Sequence, residues 1–161
     1  LLSVEFTNQV KDVNIIAGEM AYVNSSLSLQ GEVIQTTVNT EIGQGNTPFT
    51  HEIISYYGQI SYFLTGESRP YKNSLSGFGR VKPNNNYGEN GWGAFEVAAR
   101  VSQMDLSSAA SGILNDISLG LNWYLNPNTR VMINYVSGEM SDYEGRITKE
   151  NSVMMRVQID F

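Results

Sequence analysis

Val153-Met154-Met155-Arg156-Val157-Gln158-Ile159-Asp160-Phe161 is the stretch that decides the fold. Val153, Met155, Val157, Ile159 and Phe161 fall on one side, and Met154, Arg156, Gln158 and Asp160 on the other. A period of two describes a strand with one apolar and one polar face. A chain closing on such a strand, with an aromatic last residue, matches the pattern of outer-membrane β-barrels. There the apolar face meets lipid and the polar face meets a watery lumen. Phe161 is then the expected membrane-insertion signal, read by the barrel-assembly machinery, and the location expected is the bacterial outer membrane.

The same alternation recurs upstream. Ile54, Tyr56, Gly58, Ile60, Tyr62 and Leu64 oppose Ser55, Tyr57, Gln59 and Ser61. Phe95, Val97, Ala99 and Val101 oppose Glu96, Ala98, Arg100 and Ser102, and Ile117, Leu119, Leu121 and Trp123 oppose Asp116, Ser118, Gly120 and Asn122. Strands are expected over 14–23, 27–39, 52–65, 91–104, 115–125, 129–137 and the closing segment, with a partial strand at Leu1–Thr7. The expected fold is all-β: a transmembrane antiparallel up-and-down barrel, of which the chain supplies seven to eight strands. Small and polar inward residues suit a wide, wet lumen, and hence a piece of a larger barrel. The opening on Leu1, inside an alternating run, gives the same expectation: residues 1–161 form the carboxy-terminal part of a single barrel domain whose amino-terminal part is missing.

The bulk composition permits this reading. No apolar run reaches the roughly 18 residues of a membrane helix. No secretory signal pattern is present. Cysteine is absent, so disulfides and thiolate sites are excluded. A formal charge of −6 argues against nucleic acid as a partner. Fifteen glycines and nine tyrosines suit strands and turns.

Loop lengths orient the strands. Short turns at Asn24–Ser26 and Asn126–Asn128 lie on the side of Phe161, which is the periplasmic side of a barrel. Longer loops at 40–50, 105–114 and 138–150 lie opposite. The connection 66–90 is the exception, being long and on the short-turn side. Tyr22, Tyr62, Phe63, Trp92, Trp123, Tyr124 and Phe161 fall near the periplasmic strand ends, where they would make one interfacial girdle.

Two further blocks carry a family likeness: Tyr57-Gly58-Gln59-Ile60-Ser61-Tyr62-Phe63-Leu64-Thr65-Gly66-Glu67-Ser68-Arg69-Pro70-Tyr71 and Gly77-Phe78-Gly79-Arg80-Val81-Lys82-Pro83. With Gly93–Arg100 and Leu119–Asn128, they resemble the phosphate-selective porin O and P family over about residues 14–161. The resemblance implies a 16-stranded barrel, usually a homotrimer in outer-membrane lipid, passing small hydrophilic solutes by passive diffusion. Selectivity for phosphate or other small oxyanions is implied by the resemblance alone.

By parity, Glu19, Glu32, Glu96, Arg100, Asp116, Arg130 and Arg156 face the lumen as candidate pore-lining residues, with Asp160 beside them. Both signs are present and no basic ladder is visible. Four of the ten basic residues, Arg69, Lys72, Arg80 and Lys82, crowd into the connection 66–90. They would form a basic patch at the periplasmic mouth, or pin the long turn through ion pairs with Glu67 and Glu89.

No catalytic residue, metal ligand set or cofactor site is expected. His51, the one histidine, sits beside Thr50 and Ser55, which leaves an outer-membrane lipid hydrolase as a remote rival. A small closed β-barrel that binds a ligand is the other alternative. Gly43-Gln44-Gly45 and Gly77-Phe78-Gly79 precede no helix and cannot be phosphate-cradling loops.

Overall fold

The computed structural model describes residues 9–41, 49–72 and 77–161. Its seven long strands are β1 (Val10–Asn24), β2 (Leu27–Thr40), β3 (Thr50–Phe63), β6 (Ala94–Asp105), β7 (Ile113–Asn126), β8 (Thr129–Ser141) and β9 (Ile147–Ile159). Each pairs antiparallel with the next, so the order in the sheet is β1-β2-β3-β6-β7-β8-β9. A two-residue ribbon, β4 (Tyr71–Lys72) with β5 (Gly77–Phe78), lies inside the connection between β3 and β6. The sheet is open, with β1 and β9 as its two edges. The expected strand at Leu1–Thr7 and most of the loop 40–50, including Gly43-Gln44-Gly45, lie outside the described residues.

The register converts the sequence alternation into two surfaces. One row crosses Met20, Gly31, Gly58 and Val101, and another crosses Ile60, Ala99, Leu119 and Tyr135. These rows belong to an apolar face whose large side chains stand exposed: Ile16, Met20, Ile60, Leu119, Val153 and Met155 among them. Exposure of such a continuous apolar surface is unfavourable in water, and it is the ordinary condition of a lipid-facing barrel wall. Val153 to Phe161 spans about 26 Å along an extended strand, which a tilt near 40° turns into roughly 20 Å of membrane depth.

Three strands run well past their expected ends. β8 and β9 continue through Gly138↔Glu150, Glu139↔Lys149 and Ser141↔Ile147, leaving only Asp142–Arg146 as the turn where a loop over 138–150 was expected. β1 likewise starts at Val10 and pairs Asp12 with Asn39. At these levels polar side chains pair across the strands: Asn14 and Asn39 donate to Asp12, and Lys149 lies 2.7 Å from Glu139. Hydrophobic alternation ends where the wall leaves lipid, but the backbone ladder continues.

The short turns follow their side-chain chemistry. Ser25 takes a left-handed conformation (φ 53°) between β1 and β2. Between β7 and β8, the Asn128 N–H donates to Asn126 Oδ1 at 2.8 Å, closing an Asx turn after Pro127. The loop 106–112 holds a 3₁₀ turn, Ser107–Ala109, that leans on β3.

Candidate functional site

The polar face is ordered by charge. One row crosses all seven long strands through Glu19, Glu32, Tyr57, Ser102, Asp116, Gly138 and Glu150. It therefore carries four carboxylates at one level. The next row toward the short turns crosses Gln30, Gln59, Arg100, Ser118 and Val136. Arg156 and Arg130 come lower still, on rows with Met132 and with Tyr124. The carboxylate row thus lies toward the longer loops and Arg100, Arg130 and Arg156 lie below it toward the short turns, where Glu96 and Asp160 are the carboxylates among them.

Arg100 reaches out over its neighbour. Its guanidinium lies 4.0 Å from the centre of the Tyr57 ring, and the Tyr57 hydroxyl accepts a hydrogen bond from Gln30 at 3.0 Å. Among the described residues it has no carboxylate partner. A flat contact of this kind restrains the cation while leaving its N–H edge available. On the acidic side, Asp116 accepts hydrogen bonds from Ser102 and Ser118.

Glu96 behaves otherwise. It is fully buried, and the cover comes from the connection between β3 and β6, which folds onto the polar face. Arg69 donates to Glu96 Oε1 through Nε at 2.8 Å and to Oε1 and Oε2 through Nη2 at 2.6 and 2.8 Å. Asn122 and the Tyr124 hydroxyl complete the ring of donors at 2.9 and 3.0 Å. Val81 of the same connection packs with Phe63, Ala94 and Tyr124 in a buried apolar cluster. Phe63 and Tyr124 therefore belong to the polar face, not to the outward girdle expected from the sequence, because parity places them beside Ser61 and Asn122. Tyr22, Tyr62, Trp92 and Phe161 are exposed as expected, and Trp123 stacks on Phe95 at 5.7 Å with Tyr87 edge-on to it at 5.3 Å.

The basic cluster of the connection separates into different roles. Arg69 pairs with Glu96 rather than with Glu67 or Glu89. Glu67 is instead buried, taking the Asn84 N–H at 3.0 Å and the Thr65 hydroxyl, and Glu89 accepts from Asn86. Arg80 is exposed and donates to Asn128 Oδ1 at 2.7 Å, and Lys82 is exposed too. Lys72 lies in β4, and its side chain is outside the described residues. Arg130 donates to Gln158 Oε1 at 2.8 Å with its guanidinium 5.9 Å from the Tyr124 ring.

Two hollows mark the polar face at its basic end. One, of about 310 Å³, opens between the connection and the β7–β8 turn, and Arg69, Arg80 and Arg130 line it. The other, of about 170 Å³, lies between Arg69 and Arg100.

A wall apolar on one face, charged and hollowed on the other, is what one stretch of an outer-membrane β-barrel presents, and it agrees with the family likeness along the chain: residues 3–161 match the phosphate-selective porin O and P family. The chain belongs to that family. It is similar to Porin O of Pseudomonas aeruginosa, with 28% identity over 152 residues covering 88% of this chain and 32% of that protein. The chain thus spans about a third of that relative's length. Membership places it among bacterial outer-membrane β-barrels, and the seven-stranded open sheet is a segment of such a wall.

His51, the residue behind the hydrolase alternative, faces a backbone carbonyl: its Nδ1 lies 2.7 Å from Ser108 O, at the base of the 106–112 loop. The sequence reading missed Tyr57 as the seat of Arg100, Asn122 and Tyr124 as donors to Glu96, and Glu150 in the carboxylate row. Tyr57 could have been found, since its parity already set it beside Gln59 and Ser61. Glu150 could not, because no apolar neighbour flags its strand at that level.

Proposed function

We propose that the chain forms part of the wall of an outer-membrane diffusion porin that passes small hydrophilic solutes without catalysis, with small oxyanions such as phosphate as the favoured class. The observation that carries this reading is the pairing of a continuous exposed apolar face with a charged opposite face across seven strands in unbroken antiparallel order. Sixteen strands and a homotrimeric assembly are part of the proposal, with the open edges of β1 and β9 completed by the rest of the barrel. The oxyanion preference is supported by Arg100, Arg130 and Arg156, which have no carboxylate partner among the described residues. Fixed cations in a narrow passage lower the barrier for anions and raise it for cations.

Planar-bilayer recordings of the full-length polypeptide test both levels. The expected result is a steady ohmic current with a reversal potential, under a potassium phosphate or potassium chloride gradient, on the anion side. A cation-selective current would remove the oxyanion preference, and the absence of any current would remove the porin.

A further inference from the structure

We infer that the hollow between the folded-in connection and the β7–β8 turn is a transient binding station for a small, partly hydrated oxyanion, held by Arg80 and Arg130 and weakened on purpose by Asp160. The inference rests on the proposed porin function and adds a site to it.

The charge count of the lining carries the argument. Three arginines and one carboxylate, Asp160, border the cavity. Arg69 is already neutralised, because its Nε and Nη2 are committed to the buried Glu96. Arg80 and Arg130 are not: their hydrogen bonds go to the uncharged acceptors Asn128 Oδ1 and Gln158 Oε1. Two positive charges thus face one negative charge across about 310 Å³ of space. That volume exceeds a bare tetrahedral oxyanion and admits one with part of its water shell.

The walls make these charges effective. Phe78, Val81 and Tyr124 back the cavity with apolar surface, and Val81 and Tyr124 are buried. An apolar backing raises the local field of a guanidinium above its value in open water. The guanidinium fork matches oxygen pairs of a phosphate-like ion. Thr129 lies on the same lining and can add a hydroxyl donor.

Asp160 gives the station its release. Its backbone N–H bonds to Asn128 O at 2.8 Å and its Oδ1 accepts from Gln158 Nε2 at 2.8 Å, so the carboxylate is fixed on the rim through the same glutamine that Arg130 holds. A conducting site must bind strongly enough to attract an ion and weakly enough to let it go. A fixed negative charge beside two positive ones supplies that compromise. The cavity opens on the polar face, away from lipid, so free inorganic phosphate rather than a lipid headgroup is the probe.

The test uses the full-length polypeptide in planar bilayers, reading the phosphate concentration that halves the chloride current. In Arg80→Gln and Arg130→Gln the half-blocking concentration is expected to rise, by about five-fold each for the loss of one charge-assisted contact. In Asp160→Asn it is expected to fall about three-fold, with longer blocked intervals, for removal of a screened like charge. Line broadening of the ³¹P signal of inorganic phosphate by the folded protein in detergent, reduced in Arg80→Gln, gives a second readout that needs no current. Arg80 is exposed, so its replacement leaves the fold intact. Unchanged block and unchanged broadening in Arg80→Gln and Asp160→Asn would overturn the station while leaving an anion-passing porin standing. A native channel with no current but with Arg80-dependent broadening would overturn the porin and keep the site.

Discussion

Arg69 and Glu96 stand 27 residues apart in the chain and meet in a bidentate ion pair on the polar face, with the Glu96 side chain fully buried and that of Arg69 19% exposed. The pair joins the connection between β3 and β6 to the wall beneath it. Removing one partner strands a buried charge, whereas removing both does not. Glu96→Ala is therefore expected to destabilise the folded protein by about 3 kcal/mol, and the double replacement of Arg69 by Met and Glu96 by Leu by distinctly less. Equilibrium unfolding in detergent micelles measures both. Equal losses in the single and double variants would show that the ion pair is not what holds the connection.

The two faces predict opposite outcomes at adjacent positions. Leu119 stands on the apolar face of β7 and is 52% exposed, while Ser118 stands on the polar face. Arginine at the lipid midplane costs about 2–4 kcal/mol, and arginine facing water inside the barrel costs little. Leu119→Arg should lower folding stability in phospholipid vesicles by that amount and Ser118→Arg by less than about 1 kcal/mol. A reversed order would invert the assignment of lipid and lumen.

How much of this was legible in the sequence follows from the same physics. Wherever lipid touches one face, as from Val153 to Phe161, the side-chain period of two is written plainly, and faces, strand order and the turn at Asn126–Asn128 follow from it. Above the lipid the pressure for alternation ends, so Asp12, Glu139 and Glu150 read as loop although they are paired in strands. The connection hid the most. Arg69 finds Glu96 and Val81 finds Phe63 through contacts distant in sequence, and no local pattern specifies an inward fold. The candidate charges were readable one by one, but their segregation into an acidic row and a basic end depends on strand register, which parity alone leaves undetermined.

Gly93 marks the point where the connection re-enters the sheet. Its φ is +77°, and a Cβ placed there would come within 2.2 Å of the Tyr124 carbonyl oxygen. Gly58, by contrast, has nothing within 4 Å of where a Cβ would stand, and its φ is ordinary. Gly93→Ala should cost at least about 2 kcal/mol through backbone strain and forced displacement. Gly58→Ala should be nearly neutral or slightly stabilising. Parallel unfolding of the two variants checks this, and a tolerant Gly93→Ala would mean that the β6–β7 junction is looser than its geometry.

Arg100 offers the cleanest separation of charge from position. It lies one level below the carboxylate row, at the point where the polar face changes sign, and it is seated on Tyr57. Arg100→Gln removes the charge, so anion over cation permeability should fall by about three-fold, as expected for one screened unit charge near a passage of moderate width. Tyr57→Leu keeps the charge but removes the aromatic seat, worth about 0.5–1 kcal/mol at an exposed site. The guanidinium is then free to swing toward Glu32 or Asp116, which line a further hollow together with Tyr57 and Arg100. Capture by either carboxylate would neutralise it, so Tyr57→Leu should shift the reversal potential in the same direction as Arg100→Gln, though by less. Adding Glu32→Gln and Asp116→Asn to Tyr57→Leu removes the competing partners and should shift the potential back toward anions. Reversal potentials in asymmetric potassium chloride separate these cases. If Tyr57→Leu leaves selectivity unchanged while Arg100→Gln alters it, the ring is packing alone and the charge acts from wherever it lies.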